Sequence, residues 1–121
     1  MKLLFSVLLC GVLVAGIHAD AAAASEAQKI EYLIRSVEQM SNAKFIRNGD
    51  AYDAKAAADH LRLKLRTAGS HCKTAENFIR RCASKSSLSG EPYQIRFADG
   101  RVMTSEAFLR QKLKQFDRRK K

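Results

Sequence analysis

Residues 53–69, Asp-Ala-Lys-Ala-Ala-Ala-Asp-His-Leu-Arg-Leu-Lys-Leu-Arg-Thr-Ala-Gly, decide the fold. Asp53 suits an N-cap, because its carboxylate can accept from the free amides of a first helical turn. Gly69 suits the stop, where a left-handed residue closes the last turn. Between them Ala57, Ala58, Leu61, Leu65 and Ala68 fall on one helical stripe, and Ala56, His60, Leu63 and Thr67 on a second. A helix with two such faces is expected at the centre of the domain, packed on both sides. Arg62 and Arg66 would line its wet edge.

On the N-terminal side, Lys44-Phe45-Ile46-Arg47 and Ala51-Tyr52 flank Asn48-Gly49. Asn-Gly between short apolar runs signals a hairpin, since a type I′ turn needs positive φ at both central residues. Arg47 is expected to pair with an acid such as Asp59, with a recognition edge as the functional alternative. Earlier still, Ser25-Glu26-Ala27-Gln28 is a capping box that opens a helix to about Met40, with Ile30, Leu33, Ile34 and Val37 as its stripe.

On the C-terminal side, Thr74 caps a third helix to about Ser84, with Ala75, Phe78, Ile79 and Cys82 at helical spacing and Glu76–Arg80 as an i, i+4 pair. A loop rich in serine and glycine runs to Pro92. Tyr93, Ile95 and Phe97 then alternate with polar residues, as in a half-buried strand. Asp99-Gly100 turns the chain into Arg101-Val102-Met103, and Thr104 or Ser105 caps a last helix carrying Phe108, Leu109, Leu113 and Phe116. The expected fold is one helix-dominated α+β domain of about four helices with two short antiparallel β-hairpins.

Both ends of the chain have another character. Lys2 followed by the apolar run Leu3 to Ile17 and the small residues around Ala19 has the pattern of a secretory signal peptide. The run is short for a spanning helix, which needs about 20 residues. Residues 1–19 are therefore expected to be cleaved, with Ala21 as the alternative site, and Cys10 leaves with them. Residues 20–117 form the domain and residues 118–121 a basic tail, with the chain from Asp117 to Lys121 expected to be frayed. Loss of Lys2 leaves 21 basic against 12 acidic residues, a net +9. That charge favours an anionic envelope component or a periplasmic protein as partner and disfavours nucleic acid, because the basic residues are dispersed and the chain leaves the cytoplasm. No transmembrane segment remains after cleavage.

Little of the sequence reads as catalysis. His60 could serve as a base, and Ser86 or Ser87 could supply a hydroxyl, which keeps a small hydrolase-like enzyme as the alternative reading. No Gly-x-Ser-x-Gly elbow is present. His71-Cys72 is too small a set for zinc, and no cofactor is expected. Cys72 and Cys82 could form a disulfide after export. Cys82 lies about two turns, roughly 10 Å, into its predicted helix, beyond the reach of a bridge unless the chain doubles back. Two buried small hydrophobes are preferred to a Cys72–Cys82 bridge.

The order of local signals adds a resemblance. Phe45-Ile46-Arg47-Asn48-Gly49-Asp50, Ala58-Asp59-His60-Leu61-Arg62-Leu63-Lys64-Leu65, Thr74-Ala75-Glu76-Asn77-Phe78-Ile79 and the run from Ala83 to Ile95 resemble, in that order, the YfeK-like family of small exported bacterial proteins. The match covers roughly Ile30 to Leu113. It implies a periplasmic or secreted protein of a Gram-negative bacterium, with a domain of unknown function and no established activity. It also implies aliphatic residues at the positions of Cys72 and Cys82, in keeping with buried side chains. The matching polar positions, Arg47, Asn48, His60, Lys64, Ser86, Ser87 and Tyr93, are candidates for a shared surface or an internal network. The functional expectation is a non-enzymatic exported accessory or binding protein.

Overall fold

The computed structural model describes residues 25–119; the signal-peptide pattern, Lys120 and Lys121 lie outside them. Four helices and one four-stranded antiparallel sheet make a single α+β domain. The order is α1 (Glu26–Glu38), β1 (Lys44–Arg47), β2 (Asp50–Tyr52), α2 (Ala54–Ala68), a 3-10 turn (Gly69–Cys72), α3 (Ala75–Asn77) running into a π-helical turn (Phe78–Cys82), β3 (Gln94–Arg96), β4 (Val102–Thr104) and α4 (Ser105–Arg119).

Local chemistry explains the boundaries. Ser25 and Gln28 close the expected capping box on α1. Asp53 accepts from the Ala56 amide at 2.8 Å, and Gly69 ends α2 at φ +56°. Asn48 and Gly49 both have positive φ, +52° and +85°, which the β1–β2 turn requires. Thr104, not Ser105, caps α4 by accepting from the Ala107 amide.

The two hairpins share one sheet. β1 pairs with β3 as well as β2, giving the order β2-β1-β3-β4. Phe45 and Ile95 turn inward from it, whereas Lys44, Gln94 and Arg96 are exposed on the outer face. The core gathers Ile30, Leu33, Ile34 and Val37 of α1, Ala58 and Leu61 of α2, Phe78 and Ile79, and Phe108 and Leu109 of α4. No helix among the described residues is long and apolar enough to cross a membrane.

Four expectations change. The second face of α2 is not packed: Ala56 and Thr67 are exposed and Leu63 keeps 52 % of its surface in solvent. The buried residues of α2 are Ala54, Ala58 and Leu61, so one helical stripe carries the burial. The third helix tightens into one α turn and then widens. The Ala83 amide bonds to the Phe78 carbonyl, five residues back, and the Ser84 hydroxyl donates to Ile79 O. The wider turn keeps Phe78, Ile79, Cys82 and Ala83 all in the core. Glu76 accordingly grips Arg110 of α4 in a two-pronged pair at 2.8 and 2.9 Å, not Arg80 as an intrahelical hydrogen-bond partner. Last, residues 117–119 are helical and not frayed. Asp117 approaches Lys29 at 3.9 Å, and Arg119 lies over the Tyr32 ring.

Candidate functional site

Strand alternation and a two-residue turn build the site. With Arg47 opposite Asp50 and Phe45 opposite Tyr52, the residues at 45, 47 and 52 share the inner face of the sheet. Arg47, at the end of β1, therefore reaches in toward α2. There His60 projects from the helix face that the sheet only partly covers.

The guanidinium is held by neutral groups. Arg47 Nη1 lies 3.0 Å from His60 Nδ1 and 2.9 Å from Nε2, and Nη2 donates to the Tyr52 hydroxyl at 3.2 Å. The Tyr52 ring sits 5.0 Å from Arg47 Cζ, within cation–π range. The expected partner, Asp59, is elsewhere: it pairs with Lys55 and stands at 4.0 Å from Arg62. Among the described residues no carboxylate forms an ion pair with Arg47.

The network continues through Tyr93. Its hydroxyl is 3.3 Å from His60 Nε2 and accepts from Lys64 Nζ at 3.0 Å. Lys64 also donates to the Lys85 carbonyl and lies over the Tyr93 ring. One turn of α2 separates His60 from Lys64, so both meet the same tyrosine. Burial, then the Arg47 charge, then the Lys64 charge hold the His60 pKa below its ordinary value. All three disfavour the imidazolium, and the neutral ring can accept from Arg47.

A second cluster adjoins the first through the hairpin turn. Asn48 donates to Ser86 Oγ at 3.2 Å and accepts from the Ser89 hydroxyl. Ser86 is buried and also accepts from the Leu88 and Ser89 amides, so its hydroxyl braces the loop. Of the seven candidate positions, Arg47, His60, Lys64 and Tyr93 form one network, and Asn48 and Ser86 form its neighbour. Ser87 is exposed and joins neither. Tyr52 and Ser89 were not singled out in advance. The signal for Tyr52 was present, because a two-residue turn fixes the register that puts it beside Arg47.

Beside Arg47 and His60 a cleft of about 250 Å³ opens between the sheet and α2. Its walls are mostly apolar, from Phe45 and Leu61 to Val37 and Leu109 at depth, with Arg47, Tyr52, His60 and Tyr93 at its polar end. Cys72 and Cys82 lie away from it, both free and 1 % exposed. The 3-10 turn does double the chain back, bringing Cys72 onto the π-helical turn, where its thiol donates to the Asn77 carbonyl and the Cys82 thiol donates to the Lys64 carbonyl. Burial, followed by the Cys72 thiol, pushes the Cys82 pKa up to about 12. Among the described residues no group of three or more His, Cys, Asp or Glu could hold a metal ion.

The uncharacterized protein YfeK of Salmonella typhimurium is 41% identical over 70 residues, 58% of this chain and 58% of that protein, so the match spans little more than half the length of this relative. No solved structure matches. The family of unknown function DUF5329 matches residues 24–117, nearly the whole described domain, and the chain belongs to that family.

Proposed function

We propose that this chain is an exported, non-enzymatic binding protein that takes an anionic ligand at Arg47. One observation carries the reading: a half-buried guanidinium meets His60 and Tyr52 but no carboxylate among the described residues. Charges withdrawn from water are ordinarily paired, so a fixed cation beside an open cleft is suited to an incoming anion. Tyr52, Tyr93 and Lys64 add donors around it, and the net charge of the chain steers anions toward it. The N-terminal pattern supports export, with an anionic envelope component or the anionic group of a periplasmic partner as ligand.

The hydrolase alternative draws less support. His60 bonds to Arg47 and Tyr93, whereas the Ser86 hydroxyl is engaged by Asn48 and two loop amides and does not line the cleft. A base must reach its nucleophile to activate it.

The test is a titration of the mature chain with acetate and with inorganic phosphate, followed by the NMR signals of the Arg47 guanidinium and the His60 ring. Saturable shifts that vanish in Arg47→Gln are expected. Identical shifts in that variant would overturn the reading.

A further inference from the structure

We propose that the anion is the carboxylate of an amphiphile, whose unbranched apolar chain enters the cleft between the sheet and α2. This rests on the anion reading of Arg47 and extends it to a ligand class.

The cleft is a space that the protein's own side chains leave open, although interiors normally close to crystal-like density. Its depth is lined by Val37, Phe45, Leu61, Ala83 and Leu109, each buried, with Ala57 half-buried in its wall and Ser105 as a buried polar member. An apolar hollow of this kind holds few polar partners for water and favours an apolar occupant. The alanines keep it open, since a larger side chain at 57 or 83 would fill it. A volume of about 250 Å³ lies just under the range typical of drug-sized ligands, which suits a slim aliphatic chain better than fused rings.

The polar end selects the head group. A guanidinium presents planar paired N–H donors that match the two oxygens of a carboxylate. Arg47 already uses single contacts from Nη1 and Nη2 to hold its plane against His60 and Tyr52, with five N–H donors in all. Tyr52 and Tyr93, whose hydroxyls meet Arg47 and His60, line the same cleft. Cation and apolar depth are thus continuous, and charge complementarity fixes which end of the amphiphile lies where.

The experiment is a chain-length series of sodium carboxylates from acetate to dodecanoate, each below its micelle concentration, titrated into the mature chain by calorimetry and NMR. Each buried methylene should raise affinity by about fourfold until the cleft is full. Decanol should bind at least about tenfold more weakly than decanoate. Ala57→Leu should flatten the length dependence and keep the acetate response. Ala56→Phe, at an exposed position on the cleft wall, provides the same test if the first variant fails to fold. Affinity independent of chain length, with acetate still shifting Arg47 and His60, would overturn the amphiphile and leave the anion reading standing. Decanol binding as well as decanoate would overturn the assigned head group. No response to any carboxylate or to phosphate would overturn both proposals.

Discussion

Arg47 and His60 are bound as cation and neutral acceptor, with Nη1 2.9 and 3.0 Å from the two ring nitrogens. A neutral ring turns one lone pair and one N–H toward that contact, whereas an imidazolium turns two N–H groups and no lone pair toward it. The charged groups facing the ring are Arg47 from β1 and Lys64 from α2, with the Tyr93 hydroxyl between Lys64 and the ring. Burial and both cations lower the folded pKa below the ordinary 6.5, so the unfolded chain takes up this proton more readily. The stability tied to His60 is therefore whole above 6.5 and lost as pH falls from there through the lowered folded value. The melting temperature should drop between about pH 7.5 and pH 5.5, and His60→Gln should reduce that drop. An equal drop in the variant would remove His60 as its source.

Arg47→Met separates the ligand role from a structural one. Methionine keeps much of the stem and removes a half-buried charge that no carboxylate offsets. The melting temperature should stay level or rise while the anion response disappears, as when a site trades stability for function. A fall of more than about 4 °C, roughly 1 kcal/mol in a domain of this size, would make Arg47 a structural residue.

The turn that aims Arg47 is equally testable. Gly49 sits at φ +85°, where a β-branched residue is strained although there is open space beside it. Gly49→Val should cost about 1 kcal/mol or more, a loss of roughly 4–8 °C. Asn48→Gly should keep the turn but release the Ser86–Ser89 loop, which its side chain brackets. Faster amide exchange at Leu88 and Ser89, with β1–β2 protection retained, is the expected pattern.

Much of this was legible in the residues. Caps at Ser25, Asp53 and Thr104 and the Asn48-Gly49 turn act through neighbours a few positions away, so local sequence records them. The hidden features depend on partners distant in the chain. Whether Ala56, His60 and Leu63 form a packed face depends on how far the sheet extends over α2, which periodicity does not encode. The pairing of Arg47 with His60 in place of Asp59 follows from the inward face of β1, whereas Asp59 points along α2 to Lys55 and Arg62. The π-helical turn trades regular hydrogen bonding for the burial of Ala83, a tertiary gain that the helical spacing of residues 75–82 conceals.

Cys72 and Cys82 should be unreactive in the folded protein. Both are almost wholly buried, and burial pushes Cys82 up to about 12, far from the thiolate that alkylation needs. Iodoacetamide at about pH 8 should label neither thiol until the domain opens, with labelling rates that follow global unfolding as denaturant is added. Rapid labelling of native Cys82 would contradict its place in the core.

The basic C-terminus should contribute modestly to stability and more to surface attraction. α4 continues to Arg119, whose guanidinium lies 5.5 Å from the Tyr32 ring centroid, and Tyr32 meets Phe116 at 5.0 Å between ring centroids. Removal of residues 118–121 deletes the cation–π contact, worth about 0.5–1 kcal/mol at an exposed site. It leaves Phe108 and Leu109 in the core and Phe116 against Tyr32. The truncated chain should fold and melt no more than about 8 °C lower. Lys112, Lys114, Arg118, Arg119, Lys120 and Lys121 place six cations within ten residues, offset by Asp117. Each basic residue near an anionic membrane contributes about 1 kcal/mol, and salt screens the attraction. In co-sedimentation with phosphatidylglycerol vesicles, the full chain should bind more than the truncated one at low salt, and the difference should vanish at high salt. Equal binding by both chains would remove the electrostatic role of the tail and leave its contact with Tyr32 as its contribution.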